Sequence, residues 1–258
     1  MLPKDIQRIS ILGTGKVATH LAKILKKLDF DLIQIFGRNQ KVAQRLAQSV
    51  EAEAISSLQA IHLDVDVIII AVADNAIETL ARQLPKDSFV VHTSGATPSA
   101  ILSTHFQDFG VFYPLQSFSL EKIPDWSIIP IIVDANTNDK KEQLIRLAKA
   151  ISPLVYTLDD TQRAQLHLAA VFANNFVNYC FHMAYSLLAE KAIPFDLLKP
   201  IILETALKVQ QHLPSEMQTG PAIRKDENTI ERHLQLLEHQ AEWKKIYELM
   251  TQQIQEMK

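Results

Sequence analysis

Three groups of residues have the types and spacing for chemistry. Gly13-Thr14-Gly15-Lys16-Val17-Ala18 has the pattern G-x-G-x-x-A. In that pattern the first glycine makes a tight turn, the second lets the backbone approach a pyrophosphate, and the small sixth residue lets a following helix pack closely. A second group follows three apolar runs. AVADNAI (71–77), HTSGATP (92–98) and YPLQSF (113–118) carry Asp74, Asn75, His92, Thr93, Ser94, Tyr113, Gln116 and Ser117. The third group lies on the helix-periodic stretch 161–191, where His167, Asn174 and Asn178 fall within about 40° of one another at 100° per residue. They form a polar stripe on an otherwise apolar helix. Buried without partners, such groups would cost on the order of 1–3 kcal/mol each. The stripe therefore meets either other polar groups, as satisfied core or interface amides, or a ligand.

Elements must position these groups. Short β-type runs stand at 6–12, 31–36, 65–72, 88–92, 110–113 and 127–133, with helix-periodic segments such as VATHLAKILKKL and QKVAQRLAQSV between several of them. Near-continuous apolar runs such as VIIIAV suit strands covered on both faces, and the alternation predicts an α/β fold with a doubly wound, mostly parallel Rossmann-type sheet. After SPLVYTLDD (152–160) strand runs stop and helical periodicity continues to the end. The expected organisation is a nucleotide-binding domain over 1–157 and an all-helical domain over 158–258. In the helical part, 161–191 reads as one long helix opened by Asp159-Asp160, and Asp226 or Asn228 caps the helix TIERHLQLLEHQ. In open sheets of this kind ligands lie outside the carboxyl ends of the strands, which is where the second group stands.

The chain has only six glycines in 258 residues, and Gly13, Gly15 and Gly37 all fall around the first βαβ unit. The motif follows a predicted strand and opens a predicted helix, the context a dinucleotide site requires. Where an NAD site places an acid on the ribose 2′-hydroxyl, this chain has Gly37-Arg38-Asn39. A carboxylate there would repel a 2′-phosphate, whereas a guanidinium grips it. NADP is the expected cofactor, held by Gly13, Thr14, Gly15, Lys16, Val17, Ala18, Arg38 and Asn39, with Ala71, Val72, Ala73 and Asn75 from the next strand end. The missing acid also counts against methyltransferases of related fold.

Composition removes other classes. A net charge of −3 with 21% charged residues is not that of a nucleic-acid binder. The single Cys180 reads as a core thiol, and the histidines show no paired metal-ligand spacing, so no metal is expected. No run of eighteen apolar residues and no secretory leader pattern is present, so no membrane role and a cytoplasmic location are expected. The apolar helical domain favours association, and a homodimer through it is expected.

The segments GTGKVA, AVADNAI, HTSGATP, YPLQSF, HLAAVFANNF (167–176) and TGPAIRKDENTIERHL (219–234) resemble those of a bacterial family of NADP oxidoreductases. That family is similar to deazaflavin-dependent NADP reductases, pyrroline-5-carboxylate reductase and prephenate dehydrogenase. The resemblance covers nearly the whole chain and implies a Rossmann domain followed by a helical domain of unassigned role. Many relatives have His-Pro-Leu where this chain has Tyr113-Pro114-Leu115. Related two-domain dehydrogenases place a Lys or His and an Asn on the helix corresponding to 161–191, which implies that this face closes over the nicotinamide. His167 is then the expected proton partner, with Ser94 and Asn174 as hydrogen-bonding companions. His92, Tyr113 and Gln116 are expected to meet a small carbonyl or imine substrate, and Arg224 to hold a carboxylate on it. The competing expectation is a catalytically silent NADP(H)-binding regulatory or partner-binding protein.

Overall fold

The computed structural model describes residues 5–257. Eight strands form one sheet: β1 (Arg8–Leu12), β2 (Asp31–Phe36), β3 (Glu53–Ile55), β4 (Val67–Ile70), β5 (Val90–His92), β6 (Phe109–Pro114), β7 (Ile131–Ala135) and β8 (Val155–Thr157). Their spatial order is β3-β2-β1-β4-β5-β6-β7-β8. Every pair is parallel except β6 with β7, which is antiparallel. The doubly wound sheet expected from the sequence is present, and the chain direction across it reverses between β1 and β4. That reversal opens a crevice above the carboxyl ends of the two strands.

The helices of this part are α1 (Lys16–Lys27), α2 (Gln40–Ser49), α3 (Ile77–Ala81), α4 (Asn138–Ile151) and α5 (Asp160–Ala170). Alternate residues of the strands serve opposite faces of the sheet, as a period of two requires. Ile9, Ile11, Ile69 and Val91 pack with Leu21 and Leu25 of α1, Leu46 of α2 and Leu144 of α4. Leu12, Ile68, Ile70 and Val90 pack with Ile77 and Ala81 of α3 and with Leu102 and Phe106. Both faces are covered, which explains why VIII is apolar without alternation.

Gly13 is where the fold most needs glycine. It sits at φ +139°, a conformation side chains rarely adopt, and a Cβ there would lie 2.0 Å from the Ala71 carbonyl oxygen. Gly13→Ala combines backbone strain with overpacking, and we expect it to cost about 2–4 kcal/mol, read as a lower denaturation midpoint. A midpoint equal to the parent's would refute the close approach of the β1 and β4 ends.

Three expectations are corrected. The three-residue strands β3 and β8 were not anticipated, because at the sheet margins a strand this short carries too few residues to show a period. The run 127–133 supplies a strand only from Ile131, since Trp126–Ile128 forms a 3₁₀ turn capped by Asp125. The expected long helix is interrupted: α5 is followed by a π-helical turn, Val171–Phe176, before α6 (Val177–Ala189). Asp159 caps α5, with Gln162 completing a capping box.

Two compact units emerge, Met1–Asn174 and Asn175–Lys258. The second consists of α6, α7 (Lys199–Lys208), α8 (Glu227–Leu236) and α9 (Ala241–Gln255). Of the two possible caps for α8, Asp226 is the one used, accepting from the Thr229 N–H at 3.2 Å and its hydroxyl at 2.8 Å. Internal ties include His233 Nδ1 to the Tyr247 hydroxyl at 2.8 Å and Gln240 to Glu190 at 2.7 Å. Few of its side chains are buried, Ala222, Ile230 and Leu237 among them, while Leu197, Ile201, Leu203, Leu207 and Leu213 are exposed.

Candidate active site

A cleft of about 1530 Å³ opens at the β1/β4 reversal, and the residues named around it all belong to the first unit. Its floor is set by backbone bonds between strand ends, Gly13 N–H to the Phe36 carbonyl at 2.8 Å and Ala71 N–H to the Leu12 carbonyl at 2.7 Å. Gly15 is the N-cap of α1 and has no side-chain cap, so the first N–H groups of the helix are not consumed by a side chain. A Cβ at Gly15 would meet nothing within 4 Å. An open backbone, uncapped helix N–H groups and a positive helix terminus suit a pyrophosphate.

Along β2 the cleft continues past Phe36 and Gly37 to Arg38, Asn39 and Lys41. Asn39 also caps α2, its Oδ1 accepting from Val42 N–H at 3.3 Å. Arg38 and Lys41 bring two cations to this end with no carboxylate among the cleft residues of the 36–41 segment. Lys41 was not singled out in the sequence; its place as the second residue of α2, three residues after Arg38, was the available signal. The donor set fits a 2′-phosphorylated dinucleotide.

Among the residues expected to hold cofactor, Ala18 alone does not line the cleft. It is fully buried, with its Cβ 3.4 Å from where a Gly13 Cβ would stand, and it supports the turn from behind. Ala71, Val72, Ala73 and Asn75 line the wall after β4, together with Asp74.

The opposite wall comes from Thr93, Ser94, Gly95, Tyr113 and His167. Tyr113, on β6, and His167, on α5, join through a 3.1 Å contact between the phenol oxygen and Nδ1, their rings in edge-on contact. Gly95 is wedged against both: a Cβ there would lie 2.6 Å from His167 Nδ1 and 2.7 Å from Tyr113 Cζ. Burial first, then the charge of Asp74, raises the Tyr113 pKa above its ordinary value, while the Arg163 guanidinium opposes them. Tyr113 is therefore a neutral phenol with one proton to give. The Tyr113–His167 partnership was not foreseen, since His-Pro-Leu relatives drew attention to the missing imidazole rather than to the one α5 supplies.

Other expected positions lie elsewhere. His92 is 0% exposed. Its Nδ1 accepts from Ser94 N–H at 3.2 Å, and Nε2 has no hydrogen-bond partner among the described residues. Burial, helped by Arg163, lowers its pKa to about 4, against the favourable influence of Pro98, Asp160 and Asp74. As it stands, His92 is a neutral core imidazole rather than a substrate contact. Ser94 lines the cleft, but its Oγ accepts from Ala96 N–H at 3.2 Å and Thr97 N–H at 2.9 Å and pairs with the Thr97 hydroxyl at 2.9 Å. Gln116 is exposed and its Oε1 accepts from Ser117 N–H at 2.7 Å. Asn174 falls in the π turn, is exposed and does not line the cleft. A stripe at 100° per residue holds only for uninterrupted α-helix; π winding breaks that phase. Arg224 is exposed in the segment before α8 of the second unit. Among the described residues no cluster of His, Cys, Asp or Glu could hold a metal ion, and no helix is long and apolar enough to cross a membrane.

Residues 8–95 match the family model "NADP oxidoreductase coenzyme F420-dependent", and residues 129–254 match "Domain of unknown function (DUF2520)". A comparison with curated proteins finds no match. Among solved structures, a "putative NADP oxidoreductase" from Bacteroides fragilis is 36% identical over 98% of both chains, with a TM-score of 0.89. A reductive aminase from Aspergillus terreus, in complex with NADPH and ethyl-5-oxohexanoate, is 15% identical over 98% of this chain and 96% of its own, with a TM-score of 0.69. A 1-pyrroline-5-carboxylate reductase from Streptococcus pyogenes is 16% identical over 96% of this chain and 98% of its own, at 0.62. The last two likenesses show a shared fold, whereas the first shows kinship over the full length. With the cleft, the phosphate-binding turn and that kinship in agreement, the chain belongs to the family of NADP oxidoreductases that join a Rossmann-type domain to the DUF2520 helical domain.

Proposed function

We propose that the protein reduces a C=O or C=N bond of a small substrate at the wall formed by Gly95, Tyr113 and His167. The observation that carries this reading is the 3.1 Å Tyr113–His167 contact at the edge of a cleft suited to a dinucleotide. Bound NADPH would supply the hydride. The chain's own groups supply the rest: the Gly13–Val17 turn and Arg38 orient the cofactor, and Tyr113 Oη and His167 Nδ1 share the proton that the reduced oxygen or nitrogen must receive. Ser94 acts by shaping the loop behind Gly95, because its hydroxyl is taken up by Thr97. The fold kinship with a reductive aminase and a pyrroline-5-carboxylate reductase supports imines as well as ketones as substrates.

Finer points belong to the same proposal. Residues 1–157 carry the cofactor and 158–258 form the helical substrate and association domain. Arg224 holds a carboxylate on the substrate, so Arg224→Ala raises KM for carboxylate-bearing substrates and leaves neutral analogues unaffected. The protein works in the cytoplasm as a homodimer through its helical domain. The exposed leucines and isoleucines of α7 and its flanks support association, since an apolar surface on this scale favours burial. Light scattering after size exclusion should give twice the chain mass.

The cofactor is tested by fluorescence titration. NADPH should bind more tightly than NADH, and Arg38→Ala should weaken NADPH about 10- to 100-fold, the worth of a lost charge-assisted contact, while leaving NADH unchanged. Equal loss for both nucleotides would show that Arg38 does not meet the 2′-phosphate. Activity is tested by NADPH oxidation against small ketones, with and without an added primary amine.

A further inference from the structure

Arg163 is 0% exposed on α5, one turn before His167 on the same face. Its Nη2 donates to Asp160 Oδ1 at 2.7 Å and to the Thr97 carbonyl at 2.6 Å. Asp160 in turn accepts from Ser99 N–H at 2.9 Å and from the Ser99 hydroxyl at 3.1 Å. The loop 94–99 is thus tied at both Thr97 and Ser99 to the first turn of α5. Its other end presents Gly95 to the rings of Tyr113 and His167. Arg163 Nε and Nη1 have no partner among the described residues. A guanidinium taken wholly out of water with two of its nitrogens unpartnered among the described residues is a poor way to gain stability, since an apolar side chain of similar volume avoids the desolvation penalty. Its presence there calls for a role that needs the charge at that place.

We propose that Arg163 is a positioning residue for the Tyr113–His167 pair: it clamps the 94–99 loop to α5, so that Gly95 holds the two rings at hydrogen-bond separation. The proposal rests on the reading of that pair as the proton source, but its test does not depend on turnover. A second consequence concerns His92, beneath the same loop. The charged groups bearing on it are Arg163, which opposes its protonation, and Asp160 and Asp74, which favour it. Arg163 thereby helps keep the imidazole under the loop neutral and its Nδ1 available to Ser94 N–H.

The experiment uses the full-length chain with histidines labelled with ¹⁵N, the signals of His92 and His167 being identified with His92→Gln and His167→Gln. Tyr113→Phe defines the signature of a His167 Nδ1 that has lost its phenol partner. Arg163→Met should reproduce that signature and raise the proton affinity of His92 about tenfold, while NADPH affinity stays within about threefold of the parent. Arg163→Lys, which keeps the charge and one reachable donor, should restore both signals. A folded Arg163→Met with the parent's His167 and His92 signals would overturn the proposal. So would a loss of NADPH binding accompanied by shifts throughout the protein, since that is the behaviour of a residue holding the fold alone. If Arg163→Met does not fold, Asp160→Asn decides: it removes the countercharge and should shift the His167 signal toward the Tyr113→Phe signature, and an unchanged spectrum counts against the clamp. Turnover surviving in His167→Gln would instead defeat the proton-source reading and leave the clamp standing.

Discussion

His167→Gln should lower the rate of NADPH-dependent ketone or imine reduction by roughly 10²–10⁴-fold, the range that a positioned proton donor contributes. The fall should appear in kcat, with the NADPH dissociation constant nearly unchanged. In the proposed binding mode the phosphates meet the Gly13–Val17 turn and the 37–41 segment, while His167 lines the cleft together with Thr93, Ser94, Gly95 and Tyr113. Tyr113→Phe keeps the ring against Gly95 and removes only the hydroxyl that contacts Nδ1 at 3.1 Å. It should cost about tenfold or more, because His167 keeps its place but loses the partner that fixes its tautomer and shares its proton. Gly95→Ala offers a steric check on the same pair, since the added methyl must push the two rings apart. Stopped-flow measurement of the NADPH absorbance separates hydride transfer from binding. Wild-type rates in both His167→Gln and Tyr113→Phe would move the proton source away from this wall.

Acidification should destabilise the first unit through His92. The group has a folded-state pKa of about 4 against 6.5 when unperturbed, so between those values the unfolded chain binds a proton that the folded chain refuses. Stability is therefore complete above about pH 6.5 and falls as the pH drops toward about 4, below which this contribution is spent. The difference corresponds to about 3 kcal/mol, a large share of the 5–15 kcal/mol typical of a domain. Asp160 acts in the opposite sense of charge but the same direction of pH. Hydrogen bonds from Ser99 and the Arg163 ion pair hold its carboxyl below the ordinary range in spite of burial, so its contribution is lost only as pH falls through that lowered value. Urea unfolding at pH 7.5, 6, 5 and 4.5 should show the His92 slope, and His92→Gln should flatten it above pH 5. An equal slope in that variant would show that His92 is not held neutral.

What the sequence determined by itself is what contiguous residues can carry. The turn Gly13–Ala18, the strand before it and the helix after it are local chemistry, so the cleft's phosphate end and the cationic segment after β2 could be placed without a tertiary structure. The parallel core strands were equally plain, because two-sided burial demands unbroken apolar runs such as VIII. Asp159 at the start of α5 was legible for the same reason, since a cap and its helix are neighbours in the chain.

Tertiary structure alone decided which partner His167, already expected as the proton partner, would meet. Tyr113 and His167 are 54 residues apart, and only the seating of α5 against β6 brings them together. The same packing buries His92, which in sequence is one more polar residue after a strand, and commits the Ser94 hydroxyl to its own loop. Asn174 moved away from the expected face because the π turn alters a phase that periodicity assumes constant. Arg163, near the start of α5, is not singled out by the sequence; its burial follows from where the 94–99 loop lies. The physical reason is the same in each case: turn and helix preferences are set by neighbours in the chain, whereas desolvation and side-chain pairing depend on which distant element comes to lie above them.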